Sequence, residues 1–174
     1  MNMNFKKRLD QIIRVDHAGE YGAQQIYSGQ IQFTKDKNLK KLLIKMANEE
    51  QEHLRYFESV MLEKRIRPTL FGGVWKIGGF SLGAITALLG KNYVMACTEA
   101  VEDTIVKHYE EQLNEISGSE EKEIRKKIKK FLADEDKHKE TGASGISSNN
   151  VQINVFKFLI KGLTKTAIRL SEKI

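Results

Sequence analysis

Apolar side chains recur along this chain in steps of three and four residues, the period of a helix with one buried face. The pattern predicts a first helix over 5–34, with Ile12, Ile13, Ala23, Ile26 and Ile31 in phase. The polar run Lys35-Asp36-Lys37-Asn38 is a short connection. A second helix follows over 39–64, whose stripe is Leu39, Leu42, Leu43, Met46, Leu54, Phe57, Val60 and Met61. Arg67-Pro68 ends it, because proline steers the preceding residue away from the α region. Helical periodicity resumes over 91–116 through Met95, Thr98, Ile105, Tyr109, Leu113 and Ile116. Ser117-Gly118-Ser119 reads as a break, with Ser119 as an N-cap ahead of Glu120 and Glu121. Residues 120–140 form the next helix, TGASGISSNN at 141–150 reads as a loop, and 151–172 form a last amphipathic helix. No segment shows the period-two alternation of a strand.

One segment breaks the pattern. Residues 69–90, TLFGGVWKIGGFSLGAITALLG, carry a single charge, Lys76, and six of the thirteen glycines. The run is long enough to raise a membrane-spanning reading, but its glycines and central lysine make it a poor span. It is expected either as a buried crossover between two halves of a bundle or as an apolar, membrane-facing segment.

The chemistry lies where charged residues interrupt the apolar stripes. On 39–64 the stripe runs Leu43, Met46, Glu50, His53, Phe57; on 120–140 it runs Ile124, Ile128, Phe131, Glu135, His138. Both interruptions are Glu-x-x-His, and residues three apart share one helix face. Glu20 interrupts the first helix and Glu102 the one over 91–116. Glu20 precedes Glu50 by 30 residues and Glu102 precedes Glu135 by 33, so the plan is doubled: one Glu, then Glu-x-x-His. That is the ligand pattern of ferritin-like di-iron and di-manganese carboxylate proteins. Four unpaired carboxylates in a core would each be costly to bury. Two divalent ions neutralise them, and mixed oxygen and nitrogen donors suit iron or manganese better than magnesium or calcium. The expected fold is therefore all-α: a ferritin-like four-helix bundle with one long apolar crossover and an extra C-terminal amphipathic helix. The whole chain, 1–174, is expected to form one domain.

Composition adds three points. The chain is large enough for a core without disulfides, and the lone Cys97 excludes a disulfide framework. The net charge is +6, which points to an anionic partner, nucleic acid or lipid. With four glutamates neutralised by metal the rest of the chain carries +10, of which +4 lies on 151–174, where Lys157, Lys161, Lys165 and Arg169 stand four apart. That stripe reads as a solvated face or as a dock for an anionic membrane surface. No nucleic-acid motif accompanies the charge. The N-terminus MNMNFKKRLD has no apolar run after its basic residues, so no secretory signal is expected.

The sequence around the six ligands resembles a known family. RVDHAGEYGAQQIYSGQ (14–30), EEQEHLRYF (49–57), ACTEAVEDTIVKHYEEQL (96–113) and EDKH (135–138) are similar to the demethoxyubiquinone hydroxylases of ubiquinone biosynthesis. The similarity covers most of 12–140, with Tyr21 where a small aliphatic residue is expected. The resemblance implies a membrane-peripheral di-iron monooxygenase that hydroxylates the ring of a polyprenyl benzoquinol, a 3-demethoxyubiquinol, with O₂ as co-substrate. It implies two iron ions (Fe²⁺/Fe³⁺) per chain: one on Glu20, Glu50 and His53, the other on Glu102, Glu135 and His138, with Glu50 and Glu135 bridging. The quinol, or a nicotinamide donor, would supply electrons, and the expected location is the cytoplasmic face of a bacterial inner membrane. Association with other ubiquinone-biosynthesis proteins, or with further copies of the chain, is left open.

Other residues carry two readings each. Asp16 and His17 either orient a ligand or serve as cap and surface residues. His108 and Tyr109 either line a substrate or support position or are packing residues. Glu99 and Asp103 are solvated or hydrogen-bonded neighbours of Glu102. A ferritin-like iron oxidation and storage protein shares the ligand set, but a glycine-rich apolar crossover fits a soluble storage shell poorly.

Overall fold

The structure, a computed structural model, describes residues 3–116, 121–148 and 150–173. The chain is all-α. Among the described residues there are six helices and no strand: α1 (Met3–Phe33), α2 (Lys37–Lys64), α3 (Gly72–Leu89), α4 (Lys91–Glu115), α5 (Lys122–Gly145) and α6 (Val151–Lys173). The predicted Ser119 cap lies outside the described residues. The chain forms two compact units, Met1–Lys91 with Thr166–Ile174, and Asn92–Lys165.

In the first unit α1 and α2 make a hairpin. Asp36 caps α2, its Oδ1 accepting from the backbone N–H groups of Asn38 (2.8 Å) and Leu39 (3.1 Å). This satisfies donors that a helix start leaves open. Arg65 ends α2 in the left-handed region at φ 56°, and the N–H of the buried Ile66 returns to the Met61 carbonyl at 2.9 Å. Gln24 Nε2 donates across the hairpin to the Ala47 carbonyl at 2.5 Å, fixing the register one turn from Glu20 and Glu50.

The segment 69–90 is a helix, and it is not buried. Of Gly72–Leu89 only Gly83 and Thr86 are buried, so the reading as a buried crossover fails. Its length and composition would allow it to cross a membrane. It meets α1 along a narrow line of glycines. A Cβ on Gly79 would stand 2.9 Å from the Gly22 carbonyl oxygen and one on Gly29 2.7 Å from the Ala84 nitrogen, while one on Gly83 would strike the Ile26 carbonyl. Such backbone proximity lets a helix seat firmly while showing most of its surface. Val74, Ile77, Leu88 and Leu89 are exposed.

In the second unit α4 is buried over most of its first three turns, from Val94 through Val101 except Glu99. α5 begins where Arg125 donates to the Leu113 and Ile116 carbonyls at the end of α4. It continues to Gly145, through half of the predicted loop. The cause is packing: a Cβ on Gly142 would lie 2.7 Å from the Glu99 nitrogen and 2.9 Å from the Met95 carbonyl oxygen, and Gly145 abuts the Met95 side chain. These glycines serve close approach, not a turn. Asn150 then caps α6 through its Oδ1 and the Ile153 N–H at 3.0 Å.

α6 is oriented differently from expectation. Two members of its basic stripe face α4: Lys157 Nζ lies 2.8 Å from Glu99 Oε1, and Lys161 Nζ 2.7 Å from Asp103 Oδ2. Ile153 and Ile160 are buried beside them, whereas Val155, Phe158, Leu159 and Leu163 are exposed. The solvated-stripe reading holds for Lys165 and Arg169 but not for Lys157 and Lys161.

Candidate metal centre

Each unit brings three of the six expected ligands together. In the first, Glu20 on α1 meets Glu50 and His53 on α2. His53 Nδ1 is 3.7 Å from Glu20 Oε2 and 3.7 Å from Glu50 Oε2. In the second, Glu135 and His138 on α5 accompany Glu102 on α4, with His138 Nδ1 at 3.5 Å from Glu135 Oε2. Within each triad every residue offers a donor atom within 4.8 Å of the other two. All six are at most 3% exposed.

The local reason is the helix period. Met46, Glu50, His53 and Phe57 are all buried on α2, as are Ile128, Phe131, Glu135 and His138 on α5. These Glu and His residues thus occupy core positions by continuation of an apolar face.

The donor set fits a metal ion. Donor atoms each about 2.1 Å from a shared ion stand roughly 3 to 4 Å apart, which matches the separations above and exceeds a hydrogen bond. Glu20 shows the need for positive charge directly. Burial, then the Glu50 carboxylate, push its pKa up to about 7 against the opposing pull of His53. A cation between these groups would offset both.

The surrounding residues divide. Asp16 is buried on α1, and His17 is half-buried, its pKa lowered by burial against the carboxylates of Glu58 and Glu20. Tyr109 is buried, and His108 Nε2 lies 2.8 Å from Gln112 Nε2. Tyr21 is half-buried on α1. The bond from Gln24 to Ala47 and the pairing of Lys157 and Lys161 with acids of α4 were not foreseen. Nothing local marks a glutamine that bonds a carbonyl on another helix, and a four-residue lysine period looks the same whether or not acids face it.

The family model described as "Ubiquinone biosynthesis protein COQ7" matches residues 7–171. The chain belongs to this family. Its relatives include the "NADPH-dependent 3-demethoxyubiquinone 3-hydroxylase, mitochondrial" of Dictyostelium discoideum, 41% identical over 95% of this chain and 77% of that protein. The human protein of the same description is 40% identical over 95% of this chain and 78% of its own length. The "3-demethoxyubiquinol 3-hydroxylase" of Rhodospirillum rubrum is 36% identical over 95% and 78%. COQ7 membership supports the hydroxylase expectation over iron storage.

Proposed function

We propose that this COQ7-family chain is a 3-demethoxyubiquinol 3-hydroxylase, an oxidoreductase acting late in ubiquinone biosynthesis. The observation that carries the reading is the pair of buried triads, each a Glu-x-x-His joined by a glutamate from a neighbouring helix, in a chain whose relatives bear that name. Glu20, Glu50 and His53 would hold one iron, Glu102, Glu135 and His138 the other, with Glu50 and Glu135 shared. Two irons, when bound, would supply the activation of O₂ that amino-acid side chains cannot.

The chain's own part is to hold and shield. In each triad three donors fixed on two helices would hold an ion, and burial keeps bulk water from them. Asp16, buried on the same helix as Glu20, would orient a ligand. In balance, a ring C–H and O₂, with two electrons and two protons, give a ring C–OH and water. Electrons would come from the quinol or from a nicotinamide donor, the latter matching the description of the Dictyostelium discoideum and human relatives.

The substrate's polyprenyl tail keeps it in lipid. The exposed apolar residues of α3 and α6 support a location on the membrane; the side expected is the cytoplasmic face of a bacterial inner membrane. Contacts with other ubiquinone-biosynthesis proteins, or with a second copy, belong to the same reading.

Quinone extraction from a strain lacking this protein tests the function. Demethoxyubiquinone should accumulate and disappear on complementation, but not with Glu50→Ala or His138→Ala. Unchanged ubiquinone in the deletion strain defeats the proposal.

A further inference from the structure

We propose that Lys157 and Lys161 are positioning residues for the metal centre. Through Glu99 and Asp103 they hold the turn of α4 that carries Glu102. The inference rests on the reading of Glu102 as a ligand.

The ion pairs form two rungs between parallel rows. Lys157 and Lys161 are four apart on α6, and Glu99 and Asp103 are four apart on α4. The rungs measure 2.8 and 2.7 Å. In the first, both side chains are shielded, at 15% and 17% exposure; in the second, Lys161 and Asp103 are at 33% and 19%. Pairs so covered are screened far less than surface pairs. Between them in sequence stands Glu102, three residues after Glu99 and one before Asp103, all on one helical turn.

The same turn is gripped from α5. Gly142, four residues after His138, lies so close to α4 that a Cβ there would be 2.7 Å from the Glu99 nitrogen. The main chain at Glu99 is thus fixed by α5 while its carboxylate is held by α6. Tyr93, nearly two turns before Glu99, and Phe156, next to Lys157, add an edge-on ring contact with centroids 5.2 Å apart.

Two rungs constrain what one could not. A single pair allows α4 to turn about its axis, whereas two pairs a turn apart fix rotation and axial position together. A rotation of roughly 20° moves a Cα on a helix of radius about 2.3 Å by about 0.8 Å. Ligand constellations tolerate about 0.5 Å. Loosening the rungs therefore displaces Glu102 from His138 and Glu135 without removing any ligand.

The test is anaerobic Fe²⁺ titration of the metal-free full chain, followed by the absorption and EPR signatures of the loaded protein. Lys157→Met with Lys161→Met should weaken binding of one iron by about tenfold, the lower end for residues that support ligands, and change the signature. Helical circular dichroism should persist. The exchanged pair Glu99→Lys with Lys157→Glu, keeping Lys161, restores a rung with reversed charge and should recover most of the affinity. It also covers the case in which the double methionine variant does not fold. Wild-type affinity and signature in the methionine variant, or no recovery in the exchanged pair relative to Lys157→Glu alone, overturns the proposal. Glu102→Ala run in parallel separates the two readings: both irons retained there defeats the ligand assignment, whatever the lysines do.

Discussion

The carboxylate of Glu20 on α1 reaches to within 3.7 Å of the His53 imidazole on α2, and both side chains are 2% exposed. Neither residue signals this alone. The relation exists because Ile13 and Glu20 on α1, and Met46, Glu50 and His53 on α2, continue buried faces of a hairpin closed by the Asp36 cap.

A first prediction follows from that burial. The Glu20 pKa is raised from 4.5 to about 7, by burial first and the Glu50 charge second. Between these values the unfolded chain binds fewer protons at this site than the folded one. Stability of the metal-free chain therefore falls as pH rises through this window, and is fully present below about 4.5. Its melting temperature should drop on going from about pH 5 to about pH 8, and Glu20→Gln should flatten that slope. Iron affinity should run the other way, weakening below about pH 7 because the proton must leave before the metal binds.

A second prediction concerns the seat of α3. A side chain on Gly83 would collide with the Ile26 carbonyl and approach the Gln30 nitrogen at 2.9 Å. It would also separate Gln30 Nε2 from Thr86 Oγ1, a buried pair at 3.4 Å. Gly83→Leu should destabilise the chain by about 1–3 kcal/mol, the usual cost of overpacking, or more if α3 detaches. Gly78→Ala is the control, because nothing lies within 4 Å of that position. It should be stabilising by about 0.5–1 kcal/mol through lower chain entropy. Chemical denaturation of the three proteins decides the matter.

These positions show what could be read from the sequence and what could not. The two buried Glu/His clusters were legible because charged residues interrupt an apolar stripe there, and the doubled spacing of Glu20–Glu50 and Glu102–Glu135 repeats the signal. The end of α2 was legible from Arg67-Pro68, and the start of α6 from the loop composition ahead of Val151. The end of α5 was not: Gly142 and Gly145 have loop composition, but α4 lies against them. The facing of α6 was illegible for a related reason. Periodicity shows that Lys157 and Lys161 share a side, but only a partner row such as Glu99 and Asp103 says which way that side turns.

A third prediction is a silent cysteine. Cys97 is fully buried, and burial, with the Glu102 charge as a second cause, pushes its thiol up to about 12. The thiolate is the reactive form. Iodoacetamide at about pH 8 should leave the folded protein unlabelled and modify one thiol after denaturation, as read by mass spectrometry. Rapid labelling of the folded chain would mean that α4 opens readily.

The last prediction weighs charge against apolar surface in membrane binding. Lys157 and Lys161 are engaged within the chain, which leaves Lys165 and Arg169 as the exposed members of the stripe. Each basic residue near an anionic surface contributes about 1 kcal/mol, and salt removes that contribution. Phe158 is 77% exposed, Leu163 61% and Leu159 57%. Burying a side chain of this size contributes about 1.5–3 kcal/mol, largely insensitive to salt. The apolar term is therefore the larger one. Vesicle co-sedimentation should show that raising salt to about 0.5 M weakens binding by less than Phe158→Glu does at low salt, and that Lys165→Gln with Arg169→Gln mainly removes the salt dependence. Because Phe158 is exposed, its replacement should leave the melting temperature unchanged, so a loss of binding is a surface effect. Binding to anionic vesicles abolished by salt alone, with Phe158→Glu neutral, would assign the docking to charge instead.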